Sequence, residues 1–507
     1  MNDAPKGGFP VVLTADRTLM ADYRLLLDGM VSCSQTTTTP GFLVRLLIAP
    51  PLNGAGVRAP RSPLGLRRVE AALLAGGFAP EDVAIVTPEK IGAAVGPRTR
   101  LIGVSSGDPL GIGMNSSTMA GLAGGESLPG ASFRRLMAAV RSARGDARVV
   151  LGGPGAWQLL HDEGARRSLG IDLVVSGYCE AEVAGLFGRL LDERGAVEPV
   201  FECGEVSAEA IPRVLGPVVM GVVEISRGCG MGCGFCTLAR RPMVHLAAEA
   251  VAADVDTNLA GGVRDAALTS ENFFRYGATG GAAAAPGKLL ELLRRLREMS
   301  GLRLIQADHA SIRSVAAFSD EALAETRRLM AGRPGELSVW VNLGVETASG
   351  ELLAASGGSA KMSPWGPSGW ADACREQVLR LSRAGFLPMV SLVVGLPGES
   401  APDVLRTIEW VESLPKDAPA TVFPVFHVPV DGETGAHRFG RADMTALHWR
   451  LFESSYRLNF RRIPRLYARS HAAAGTGLLR RAVMGLLGRG ETLRWRARFW
   501  SARKRAP

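Results

Sequence analysis

Short apolar runs ending in glycine, serine or proline, with helical stretches between them, recur along most of this 507-residue chain. This alternation restricts the fold more than any other feature. In the first half, "FLVRLLIAPP" (42–51) reads as a buried strand, and "VAIVTP", "RLIGVSS", "RVVLGGPG" and "DLVVSGYCE" read as further strands. "LGLRRVEAALLAGG" and "SFRRLMAAVRSA" lie among them with helical spacing, the first with a glycine stop. Strands separated by helices imply a parallel, doubly wound α/β sheet. After a connector at about 197–216 the pattern resumes with "VVMGVVEIS", "DAALTS", "LRLIQAD", "LSVWVNLGVE", "PMVSLVVGLPGE" and "TVFPVFHVPV". Six strand–helix units in order predict a barrel or an open arc of one. In both halves ligands are expected beyond the carboxyl ends of the strands.

Three domains follow from this reading: 1–200, 215–435 and a basic helical extension at 436–507. The formal net charge of +9 belongs to the extension. From Arg438 to Pro507 there are 17 Lys and Arg against 3 Asp and Glu, and the remainder carries 41 against 46. The body therefore gives no electrostatic reason to expect nucleic acid. The start "MNDAPKGGFP" lacks a secretory pattern, and no apolar run approaches the ~20 residues that span a bilayer. The cytoplasm is the expected compartment.

Three loops stand at strand ends of the first half: "SSGDPLG" (105–111), "GGPGAW" (152–157) and "SGYCEAE" (176–182). Each alone is a tight turn. Three in register favour a large ligand approached closely by backbone.

The most informative stretch is "SRGCGMGCGFC" (226–236), directly after the first strand of the second half. Its thiols are Cys229, Cys233 and Cys236, with Gly228, Gly230, Gly232 and Gly234 between and before them. In a reducing compartment clustered thiols favour metal over disulfides. Structural zinc takes four protein ligands, and Cys203 or His245 would have to complete such a site. A [4Fe–4S] cluster held by three cysteines keeps one iron free for a small molecule. The single Cys-x-x-Cys with one more cysteine upstream favours the cluster.

This pattern, Cys229-x3-Cys233-x2-Cys236 with aromatic Phe235 before the last cysteine, resembles the signature of the radical S-adenosylmethionine (SAM) enzymes. The resemblance implies that SAM chelates the fourth iron through its amino and carboxylate groups and is cleaved by one electron. It assigns Ser270 and Glu271 to the methionine amino group, "QADHAS" to the ribose surroundings, Gly344 and Glu346 to the end of the fourth strand, and Gly395 and Glu399 to the adenine side. The first half is similar to the cobalamin-binding domain that precedes one large class of these enzymes. The resemblance covers roughly residues 40–435. Its implied cobalamin contacts are Ser105, Ser106, Gly152, Gly153, Gly177 and Glu180. Many cobalamin proteins carry Asp-x-His-x-x-Gly after the first strand, with the histidine below cobalt. None of the seven histidines here precedes His161, which leaves cobalamin held without a protein histidine, the favoured reading, or a relic domain. The implied fold is a flavodoxin- or Rossmann-like cobalamin domain, a (β/α)6 partial TIM barrel and the basic extension.

The activity implied is methyl transfer to an unactivated carbon, using two SAM molecules, the cluster and methylcobalamin. The alternatives are a radical rearrangement, cyclisation or oxidation on the same cofactors and, in another class, a non-catalytic cobalamin or iron–sulfur sensor. A methylthiotransferase would want three more cysteines together in the first domain, but Cys33, Cys179 and Cys203 are scattered. No general-base pair is required. Arg275, Tyr276 and His309 lie near the expected rim as structural or substrate-contacting residues. Expected partners are a small-molecule or peptide substrate and an external one-electron reductant of the flavodoxin or ferredoxin type. The mixed aromatic and cationic extension reads as a helical cap, as a peripheral membrane contact, or as a surface for an acidic protein or peptide or for nucleic acid.

Overall fold

The computed structural model describes residues 5–192, 195, 197–281, 283–332, 338–417, 419–429 and 437–503. The chain divides into two compact units, one from Met1–Val223 with Ala253–Val263, the other from Glu224–Ala252, Arg264–Val430 and His437–Pro507.

The first unit is built on β1 (Val11–Ala15), β2 (Val83–Ile85), β3 (Leu101–Ser105), β4 (Arg148–Gly152), β5 (Leu173–Ser176) and β6 (Val200–Glu202), all parallel, in the order β2-β1-β3-β4-β5-β6. Alternate residues of β1 feed two cores. Val11 and Leu13 pack with Leu73 and Phe187, whereas Val12 packs with Phe133 and Leu151. The winding reverses between β1 and β3, and in sheets of order 2-1-3-4-5 the crevice at that reversal takes the ligand.

Two sequence expectations fail here. Residues 42–51 are not a strand: Gly41–Leu43 and Val44–Ile48 are helical turns. They bury only Val44 and Leu47, an i,i+3 pair, and leave Phe42 and Leu46 69% and 65% exposed. The strand at the centre of the winding is instead Val11–Ala15, buried throughout. The 197–216 connector also contributes β6, the edge strand.

A buried ion pair locks this unit. Arg68, on the helix Leu64–Ala75, donates to Asp254 at 2.6 Å, with side-chain exposures of 3% and 2%. The other Asp254 oxygen accepts the Val214 amide at 3.0 Å. Asp254→Ala leaves a guanidinium buried without its counter-charge, and a loss of about 3–5 kcal/mol is expected in chemical denaturation. A midpoint unchanged from the parent would show that water replaces the carboxylate.

β7 (Val222–Glu224) leads into the second unit and is followed by β8 (Ser226–Arg227), which pairs antiparallel with β9 (Val244–His245). The remaining strands are β10 (Asp265–Thr269), β11 (Leu304–Ala307), β12 (His309–Ser311), β13 (Trp340–Glu346), β14 (Leu387–Val394) and β15 (Thr421–Phe426). They run in two sheets, β11-β10-β7 and β12-β13-β14-β15. The break falls at Asp308, and side chains span it. The Gln306 amide donates to the Trp340 carbonyl at 2.6 Å and accepts its N–H at 3.4 Å, while the Asp308 carbonyl accepts the Asn342 amide at 2.9 Å. The result is an arc of six strand positions. Val430, the last residue of the "TVFPVFHVPV" run, lies outside the described residues.

The edge of β15 is covered rather than open. Asn459, on the helix Ala446–Ala473, donates to the Val422 carbonyl at 2.6 Å and accepts its amide at 2.8 Å. The last helix, Leu478–Arg503, packs on this one through Tyr456, Trp495 and Phe499.

Candidate functional site

At the reversal point of the first sheet, β1 runs into Asp16-Arg17-Thr18-Leu19-Met20-Ala21. The acid of the Asp-x-His-x-x-Gly pattern is kept, but a threonine stands where its histidine would be. Asp16 is fully buried and accepts the Thr18 amide at 2.9 Å and the Ser106 hydroxyl at 3.0 Å. Burial raises its pKa against these hydrogen bonds. The network joins the ends of β1 and β3 and spends Ser106 on the protein itself. Gly153 and Gly177, by contrast, are exposed at the ends of β4 and β5. Gly153 has φ +95°, and a Cβ there would lie 2.6 Å from the Ser105 hydroxyl oxygen, so only glycine lets these two loops meet. Glu180 follows in the β5 loop, partly exposed.

In the second unit the cysteine loop springs from the β8–β9 ladder. Gly228, Gly230 and Gly232 have φ of +70°, +67° and +70°, and a Cβ on Gly228 would fall 2.2 Å from the Pro242 carbonyl oxygen. The alternating glycines are therefore what permits the loop to coil. Arg275, after β10, donates to the Cys229 carbonyl at 2.6 Å and fixes the loop from outside. Tyr276 is buried and donates to the Leu246 carbonyl at 2.8 Å. Gly234 donates to the Ser356 carbonyl at 3.2 Å.

The three thiols pack with Met231, Phe235 and Ala239. Burial raises all three pKa values, that of Cys233 to about 11. Positive charge is supplied nearby. Lys361 is buried beside Cys233, its ammonium ion-paired with Glu346 and 6.0 Å from the Phe235 ring centre. Burial works against that ammonium, but the Glu346 carboxylate outweighs it and holds the pKa up. Glu346 sits at φ +66°, where the β13–β14 register shifts. A non-glycine residue there is strained, and the shift turns its carboxylate to the lysine. Gly344 leaves the room, since a Cβ there would lie 2.8 Å from the Lys361 ammonium nitrogen.

Facing this group is His309, with its ring nitrogen 3.0 Å from Asp308 and its side chain 53% exposed. Burial opposes its charge, but Asp308, Glu271 and Glu346 prevail and push its pKa up to about 9. Asp308 is itself oriented by Asn342 at 3.2 Å and Thr269 at 3.4 Å. Burial raises the pKa of Glu271. With the folded pKa above the ordinary 6.5, the imidazolium's contribution to stability is complete below pH ~6.5 and is lost as pH rises through ~9. Histidine-edited NMR should find one of the seven histidines titrating near 9, and Asp308→Asn should bring that resonance to about 6.5 or below. An unshifted titration in the variant would remove Asp308 as the cause.

The remaining sequence candidates separate. Ser270 is buried, its hydroxyl 2.6 Å from that of Ser226 and accepting the Asn272 amide at 3.1 Å, so it orders the loop from within. Gly395 lies under the Phe439 ring and donates to Glu399 at 3.0 Å, while Glu399 is held by His448 at 2.9 Å. Gln306 is spent on the strand break. Lys361 and Asp16 carried no motif and were not foreseen, and Asp308 entered only as part of "QADHAS".

Among the described residues no three His, Cys, Asp or Glu side chains converge on a single metal ion. The cysteines nonetheless raise one another's pKa values. Three thiols grouped without converging suit a cubane, in which each meets a different iron. His245, one of the two residues that could have completed a zinc site, is bound through its ring to the Ala278 carbonyl at 3.0 Å.

No family model matches the chain. It is 24% identical over 298 residues to a tRNA-2-methylthio-N(6)-dimethylallyladenosine synthase of Desulfosudis oleivorans, covering 57% of this chain and 58% of that protein. It is 28% identical over 227 residues to the ribosomal protein uS12 methylthiotransferase RimO of Frankia casuarinae, covering 43% and 39%. The chain thus spans about three fifths or less of these relatives' lengths. In fold it is similar to TsrM of Kitasatospora setae, a radical SAM methyltransferase solved with tryptophan and a SAM analogue, with a TM-score of 0.52, 17% identity and 82% and 73% of the two chains covered. A second TsrM structure, with cobalamin and a [4Fe–4S] cluster, matches at a TM-score of 0.52 and 18% identity, covering 82% and 75%. With its three-cysteine loop at the head of a parallel arc, and a sheet of order 2-1-3-4-5 ahead of it, the chain is similar in fold to these radical SAM structures.

Proposed function

We propose that this enzyme is a cobalamin-dependent radical SAM methyltransferase acting on an unactivated carbon of a small-molecule or peptide substrate, with an external one-electron reductant. The observation that carries this is the three-cysteine loop at Cys229, Cys233 and Cys236, in a chain whose first sheet also reverses its winding between β1 and β3. Cys229, Cys233 and Cys236 hold the [4Fe–4S] cluster, and Phe235 and Lys361 close its surroundings. The cofactors supply the electron, the SAM cleavage and the methyl carriage that no side chain can. The chain's own residues bind and orient. Arg275 fixes the loop, and Gly344 and Glu346 shape the floor above β13. Glu271 and the protonated His309 offer one acceptor and one donor to whatever lies between them. Ser105, Gly152, Gly153, Gly177 and Glu180 form the cobalamin face. Thr18 offers no nitrogen to cobalt.

The test is anaerobic purification with cobalamin supplied, followed by iron, sulfide and cobalamin assay. Bound cob(II)alamin should show no histidine-nitrogen splitting in its EPR spectrum. Clear splitting would overturn the ligand argument, and absence of binding would leave the first unit a relic.

A second reading is methylthio transfer, favoured by the activities of the sequence relatives. It requires a second cluster. Cys33 ends the helix Leu26–Cys33, Cys179 follows β5 and Cys203 follows β6, so these three thiols stand on separate elements. Iron content separates the readings, about four per chain for one cluster against about eight for two.

A further inference from the structure

The last helix, Leu478–Arg503, has two apolar faces. One carries the buried Met484, Trp495 and Phe499 and meets Tyr456 of the preceding helix, with ring centres 5.6 and 5.0 Å apart for the two aromatics. The other points to solvent. Leu479, Leu486, Leu493 and Trp500 stand seven residues apart and are 80%, 66%, 65% and 61% exposed. At 3.6 residues per turn they fall within an arc of about 60°. Val483, Gly490 and Ala497 extend the same stripe, also exposed. Arg489 and Arg496 flank it on one side, and Arg480, Arg494 and Arg498 on the other. The only acid of the helix is Glu491, paired with Arg494 at 2.8 Å.

Covering such a stripe would remove several large side chains from water. We propose that it lies in the surface of an anionic lipid bilayer, with the leucines and Trp500 among the acyl chains and the arginines at the phosphates. The chemistry is that of an in-plane amphipathic helix: leucine and tryptophan on one face, arginine along both borders. A second copy of the chain would set Arg489 and Arg496 against their own counterparts. Nucleic acid would leave the leucines wet. The exposed leucines project from one face of the helix, and a lipid surface needs no groove between them. Among the described residues no helix is long and apolar enough to cross a membrane, so the contact is one of lying on the surface.

The test uses the full chain with its cluster in place, floated with vesicles of phosphatidylglycerol and phosphatidylcholine or of phosphatidylcholine alone. Binding is expected to the first only, weakening as salt rises. Leu486→Glu with Leu493→Glu should abolish flotation while iron content, helicity and oligomeric state match the parent. Arg489→Gln with Arg496→Gln should weaken binding by about fivefold per arginine. The proposal falls if the parent ignores anionic vesicles at low salt, or if the glutamate variant floats as well as the parent. It falls equally if the parent is a dimer that the variant dissolves, since a second copy then covers the stripe. Binding to an acidic amphipathic peptide in place of vesicles would make the occupant a protein and overturn it too.

Discussion

Alanine at Cys229, Cys233 and Cys236 together should take the reconstituted protein from about four irons per chain to nearly none. The brown absorbance of the cluster and the cleavage of SAM should disappear with them. The fold should survive, because the thiols pack in a small apolar cluster with Met231, Phe235 and Ala239, and removing each costs about 1 kcal/mol. Far-UV circular dichroism and the denaturation midpoint give that control. The loop's glycines and Arg275 shape its path, so the apo variant should keep the Arg275 contact to the Cys229 carbonyl. Single substitutions should be nearly as severe, since two thiolates cannot retain three irons. Full iron in the triple variant would sink the assignment, and stoichiometric zinc in the parent would replace it with the mononuclear alternative.

The cysteine loop was legible in the sequence because its ligands and its glycines lie within eleven residues of one another. Most strands were legible for the same local reason, each being a short apolar run closed by a turn residue. What was missed depended on contacts between distant segments. Val11–Ala15 was passed over for the longer apolar run at 42–51, since a buried helical turn and a buried strand have the same composition. With it went Asp16 and Thr18, whose meaning comes only from following the central strand. Ser270 and Gly395 stand at strand ends, and their neighbours within the fold, Ser226 and Phe439, lie 44 residues away in each case, which no local pattern shows. Asp308 was read as part of a strand end, whereas the fold uses it to break the sheet and to charge His309.

Lys361 had no signal at all: a lone lysine in "GGSAKM", fifteen residues beyond the glutamate it pairs with. Its substitution is expected to have the second large effect. Lys361→Met removes a buried positive charge from beside Cys233 and leaves the strained Glu346 carboxylate without its partner. A cluster that gains an electron is then less well compensated, so its reduction potential should fall. One unit charge several Å away, at an effective dielectric of about 20, corresponds to a shift on the order of 100 mV. The unpaired carboxylate should also cost about 3–5 kcal/mol of stability. Adding Glu346→Gln restores neutrality, so the double variant should recover most of both losses. Potentiometric EPR of the reconstituted cluster and chemical denaturation read the two effects separately, without reference to turnover. If the single variant keeps the parent potential but loses stability, Lys361 serves only to neutralise Glu346. If the double variant remains as low in potential as the single, the ammonium acts on the cluster through something other than its charge.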